Sequence, residues 1–180
     1  MRGVARHALF LSCLALTVVG MAAYAAQTYT WSDVDCSKSR IATWPGLKCQ
    51  TTNVVTTEGN IGEFKRWAAY GHTRQGYTHL FLWEGQNSYS YIGADETTAE
   101  FLKWMYGSGN PTQFSAVFRL HNVDVVSFKD GQYNCAGFRR IGNPRRGGYD
   151  WILGGIQCAP LGQTLTNEQF GQFIDRVRLQ

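Results

Sequence analysis

Two periods alternate along this chain, and they separate strand from helix. In YTHLFLWEG (77–85), Tyr77, His79, Phe81 and Trp83 alternate with Thr78, Leu80 and Leu82. Both sides of this period-two segment carry bulk, as expected of a strand in the interior of a sheet. TTNVVTT (51–57) is rich in β-branched residues and predicts another strand. SYSYIGA (88–94), FSAVFRL (114–120) and the run from Val123 to Phe128 predict three more. Turns are expected at Glu58-Gly59-Asn60 and, on an Asp-Gly pattern, at Lys129-Asp130-Gly131-Gln132.

One segment satisfies both periods. In IGEFKRWAAY (61–70), Phe64, Trp67, Ala68 and the following Gly71 have helical spacing, with Asn60 and Glu63 placed for a capping box. The strand reading joins the same residues to 77–84 through the turn Thr73-Arg74-Gln75-Gly76. We adopt the strand.

Elsewhere the helical period is plain. Thr97 and Glu100 form a capping box ahead of EFLKWMY (100–106), with Phe101, Leu102 and Met105 as the buried stripe and Gly107-Ser108-Gly109 as the stop. Thr166 and Gln169 cap a C-terminal helix whose Phe170, Phe173, Ile174 and Val177 share one face. Residues 26–50 have no clear period and are expected to form an irregular arm. The order of elements predicts an α+β fold, a mainly antiparallel sheet with two short helices.

Covalent chemistry sharpens this picture. Arg2, Arg6, the apolar run Leu9–Ala23 and Ala23-Tyr24-Ala25 have the form of a secretory signal, with cleavage expected after Ala25. Residues 26–180 then form one domain, destined for the periplasm or the medium, without a membrane-spanning segment. Four cysteines remain in that domain, and four allow three pairings. We favour Cys36–Cys49 and Cys135–Cys158 because each closes a local loop; in an exported chain both pairs are expected to be oxidised.

The second loop is the most unusual stretch. CAGFRRIGNPRRGGYDWILGGIQC (135–158) reads as a stapled β-hairpin, with Gly142, Asn143, Pro144, Gly147 and Gly148 as turn formers. Arg139, Arg140, Arg145 and Arg146 crowd its tip, and Tyr149 and Trp151 stand beside them. Guanidinium forks suit carboxylates, phosphates and sulfates. The residues do not name a partner; the classes such a site could take are an acidic protein surface, a lipid phosphate or an acidic glycan. Nucleic acid is disfavoured: without Arg2 and Arg6, Lys+Arg falls from 17 to 15 against 13 acids, a net charge of only +2. The bland alternative is a solvated loop that keeps a sheet end soluble.

Catalytic motifs are sparse. His72, His79 and His121 stand outside any metal-ligand spacing, and there is no Gly-x-Ser-x-Gly elbow, phosphate loop or dinucleotide fingerprint. No metal or cofactor is expected. Asp95 and Glu96 suit a helix start rather than an acid/base pair. A hydrolase site assembled around His79 from distant residues, for instance Glu84 or Asp124, is the alternative to a binding protein. A structural envelope component is the third. The 23 aromatic residues after position 25 suit a β core, or alternatively a ligand platform for glycan.

Overall fold

The computed structural model describes residues 29–56, 62–73, 76–106 and 111–180. The expected signal segment with its cleavage point, and the turns at 58–60 and 107–109, lie outside them. So do the two central residues of the 73–76 turn.

The N-terminal region is more regular than its sequence suggests. β1 (Trp31–Val34) and β2 (Lys48–Thr52) pair antiparallel, with Trp31 opposite Thr52 and Val34 opposite Cys49. Within the β-branched run, Thr51 and Thr52 belong to β2, and Val55–Thr56 form a two-residue β3. At the break, the Asn53 side chain and backbone bond to Thr30. The segment of mixed period is a strand, β4 (Glu63–Thr73), and it pairs with β5 (Gly76–Gly85) from Phe64 opposite Gly85 to Thr73 opposite Gly76.

After helix α1 (Thr98–Tyr106) come β6 (Phe118–Leu120), β7 (Val123–Asp130) and β8 (Tyr133–Ile141). A two-stranded excursion, β9 (Pro144–Arg145) and β10 (Gly148–Tyr149), precedes β11 (Trp151–Cys158) and helix α2 (Asn167–Arg176). The main sheet runs β1-β2-β4-β5-β11-β8-β7-β6, with β3 on β4, and each of these pairings is antiparallel. The α+β class is the architecture observed.

Each face of the sheet carries one helix. On the first face Phe81, Ile152, Ile156, Val126 and Phe128 pack with Phe101, Leu102 and Met105 of α1. Two glycines let that helix approach. A Cβ at Gly154 would lie 2.5 Å from Met105 Sδ and Phe101 Cε1, and one at Gly137 would lie 2.5 Å from Leu102 Cδ1. On the second face Leu80, Leu82, Val125, Phe138 and Leu153 pack with Phe170, Phe173, Ile174 and Val177 of the α2 region. Bulk on both faces of β5 is therefore explained by two helices. Capping boxes open both helices, at Thr97–Glu100 and Thr166–Gln169.

Both expected disulfides are present. Cys36–Cys49 ties the β1–β2 connection to β2, and Cys135–Cys158 joins directly opposed residues of β8 and β11.

Two expected strands are corrected. Residues 88–94 form a turn at 88–89 and then irregular backbone with one isolated bridge, Ile92 to Tyr149. Asn87 Oδ1 accepts from the backbone of Tyr89 and Ser90, and this local bonding displaces a sheet ladder. In 114–120 only Phe118–Leu120 is strand. Gln113 has φ of 55°, and the Ser115 hydroxyl accepts from Ser127 N where a regular ladder bond would lie.

Candidate functional site

The basic hairpin divides its four arginines into two kinds. Arg145 and Arg146 stand exposed on the β9–β10 excursion. That excursion is anchored on two sides. Tyr149 and Ile92 exchange backbone hydrogen bonds of 2.8 and 2.9 Å. At its base Asn143 N and Nδ2 donate to the two carboxylate oxygens of Asp150 at 2.7 and 3.0 Å. Gly147, at φ of 103°, takes the left-handed turn position and sits under the Tyr91 ring, where a Cβ would approach to 2.9 Å. The tip is thus a preformed display.

Charge at the tip is only partly matched. Asp150 Oδ2 lies 3.7 Å from Arg145 Nη2 and already accepts from Asn143. Among the described residues no acid pairs with Arg146. Tyr149 is half-buried beside the pair, opposite Pro144. Trp151 is turned away: its indole packs over Gly142 and against the α2-side core.

Arg139 and Arg140 differ from the expected display at the tip. Both lie within β8, and each guanidinium is held by backbone carbonyls. Arg139 Nη1 donates to Glu96 O at 2.6 Å, at the start of α1. Arg140 donates to Val177 O at 2.7 Å and Ile174 O at 3.1 Å, closing the C-terminal end of α2. A cation there complements the helix dipole and the last unpaired carbonyls. Burial lowers the Arg140 pKa from its ordinary value, with Asp175 acting in the opposite sense. The reason for the split is strand position, since 139–140 precede Ile141, the last residue of β8.

The histidines are separate from one another in role. His79 lies on the α1 side of β5, with Tyr70 at 6.3 Å and Tyr77 at 6.5 Å between ring centroids. Burial lowers its pKa to about 4, so the ring is neutral near pH 7. Neither acid considered as its partner is engaged with it. Glu84 accepts from Trp67 Nε1 at 2.7 Å and pairs with Arg40, and Asp124 pairs with Arg119 at 3.0 Å. His121 bonds Asp175 at 2.8 Å and rests against Gly171, tethering the β6–β7 turn to α2. His72 lines a small cavity with Tyr77, Tyr106, Asp130 and Tyr133, beside Cys158. Burial raises the pKa of both Tyr77 and Tyr106, with the Asp130 charge adding to each.

A cluster that sequence reading missed surrounds Arg66 on β4. Its guanidinium lies 3.6 Å from the Tyr29 ring centroid, 4.9 Å from Trp104 and 5.1 Å from Trp83. Trp83 stacks on Trp104 at 5.6 Å. Period-two alternation puts Arg66 and Trp83 on one face, but Trp104 comes from α1, and only the tertiary fold brings it there. Burial lowers the Arg66 pKa, as expected for a cation held by rings instead of by a carboxylate.

No family model matches the chain, and neither a curated protein nor a solved structure is significantly similar to it. Two disulfides, and the absence among the described residues of any helix long and apolar enough to cross a membrane, are compatible with an exported protein.

Proposed function

We propose that this is an exported, non-enzymatic binding protein that recognises an anionic partner through the tip of its basic hairpin. The observation that carries the reading is the exposed pair Arg145 and Arg146 on an excursion held by Asn143–Asp150 and Tyr149–Ile92, with one partly occupied carboxylate nearby. Two guanidiniums in this setting repel each other and attract a phosphate, sulfate or carboxylate, which each can grip with two N–H groups. The preformed loop reduces the ordering cost of binding. Tyr149 supplies an apolar flank. Arg139 and Arg140 support the tip from below by fixing β8 to both helices, and they contribute positive potential to the same end of the sheet.

The form of residues 1–25 supports export, and so do two disulfides of the kind an oxidising compartment maintains. In the periplasm or medium, the partner classes are an acidic protein surface, a lipid phosphate or an acidic glycan. A pull-down from envelope extract tests the reading. Wild-type protein should retain a partner that high salt releases, and Arg145→Gln/Arg146→Gln should not retain it. Equal recovery by both proteins would refute a role for the tip.

A further inference from the structure

A cavity lies at the opposite end of β11 from the arginine tip, between α2 and the chain that follows Cys158. It has a volume of about 300 Å³ and an unusual wall: Gln157, Gln163, Gln172 and Thr164 face it, together with the ring of Trp44. Carboxylates are absent among the described lining residues. The one cation, Arg176, has its guanidinium 4.5 Å above the Trp44 ring.

Two polar atoms in this wall lack a hydrogen bond among the described residues. Gln157 Oε1 and Trp44 Nε1 are both buried without a partner, and Gln157 as a whole is only 6% exposed. A buried polar atom left unpaired costs about 1–3 kcal/mol. One is an acceptor and the other a donor. Hydroxyl groups serve either need, donating to the amide oxygen or accepting from the indole N–H. The terminal torsion of Gln is soft, so a small rotation turns the Gln157 amide toward a group seated in the cavity.

We infer that this cavity binds a neutral, hydroxyl-rich ligand, a saccharide unit. Amides and one hydroxyl around an aromatic ring match alternating C–H and O–H surfaces, and the absence of carboxylates leaves nothing to select a cation. The volume is at the small end of ligand sites, which suits one or two sugar rings. This site is independent of the arginine tip, and either can fail without the other.

The test is ¹⁵N NMR of the disulfide-intact protein titrated with glucose, galactose, mannose, N-acetylglucosamine and their β-linked disaccharides. At least one should shift the Trp44 indole and Gln157 side-chain amide signals. Gln157→Leu, which keeps the volume and removes the orphan acceptor, should weaken that binding about tenfold or more while leaving the melting temperature unchanged or higher. Trp44→Phe should weaken it too. The inference is overturned if no saccharide shifts those signals at tens of millimolar, or if binding by Gln157→Leu equals that of wild type.

Discussion

Arg140 on β8 donates to the Val177 carbonyl at 2.7 Å and so ties the middle of the sheet to the end of helix α2. A second bond reaches Ile174 O at 3.1 Å. Hydrogen bonds from a charged, part-buried donor are worth about 1.5–3 kcal/mol, and removing this side chain takes the donor from Val177 O and one of two donors from Ile174 O. Arg140→Leu should therefore lower the melting temperature, with a loss of about 1–3 kcal/mol, and should expose the last turn of α2 to hydrogen exchange. Arg146→Gln, at an exposed site, should stay within about 0.5 kcal/mol of wild type. Equal melting of the two variants would mean the Arg140 bonds carry no stability.

The two disulfides close chain separations of 13 and 23 residues. Loop-closure reasoning assigns about 3 kcal/mol to each bridge. Reduction of both should lower the melting temperature markedly, and Cys135→Ala/Cys158→Ala should account for about half of the loss. A reduced protein that melts with the oxidised one would contradict this.

His79 makes stability depend on pH with a definite sign. The native ring resists protonation until about pH 4, whereas the unfolded chain takes up the proton near the ordinary value of 6.5. The full contribution is present above 6.5 and is lost as pH falls from 6.5 toward 4, by up to about 3 kcal/mol. Denaturant melts between neutral pH and about pH 4.5 should show this slope, and His79→Phe should flatten it. An unchanged slope in the variant would assign the effect to another group.

Gly154 and Phe101 define how close α1 sits to the sheet, because a methyl group at Gly154 would lie 2.5 Å from Phe101 Cε1. Overpacking of this kind costs about 1–3 kcal/mol, so Gly154→Ala should lower stability by that amount. Gly93 has open space around its Cα, and Gly93→Ala should be near neutral. Thermal melts of the pair separate a packing requirement at Gly154 from a general effect of replacing glycine.

Much of the fold was legible wherever one local signal stood alone. The capping residues Thr97 and Thr166 marked both helix starts, and the two-sided bulk of Tyr77 to Trp83 marked a central strand. Signals failed where side chains bond their own backbone. Asn87 and Ser115 draw hydrogen bonds that the residue patterns of SYSYIGA and FSAVFRL do not reveal. β1 was hidden because Trp31, Ser32 and Asp33 are all exposed on an edge strand, so no alternation is required of them. In the hairpin, clustering of four arginines was visible, but their division was not. Arg140 meets α2 across 34 residues of sequence and Arg139 meets Glu96 across 43, distances over which no local pattern extends. The Arg66 stack was hidden for the same reason.

The tip arginines are proposed to form an anion-recognition site, as distinct from a merely basic surface. The most direct measurement is the salt needed to elute the protein from immobilised heparin, used as a polyanion probe. Wild type is compared with Arg145→Gln/Arg146→Gln, and with Lys38→Gln/Lys48→Gln, which removes the same charge from exposed positions elsewhere. The account predicts that the arginine variant elutes at distinctly lower salt with an unchanged melting temperature, while the lysine variant stays close to wild type. Equal elution of the two variants would contradict it, because binding would then follow net charge and not the tip.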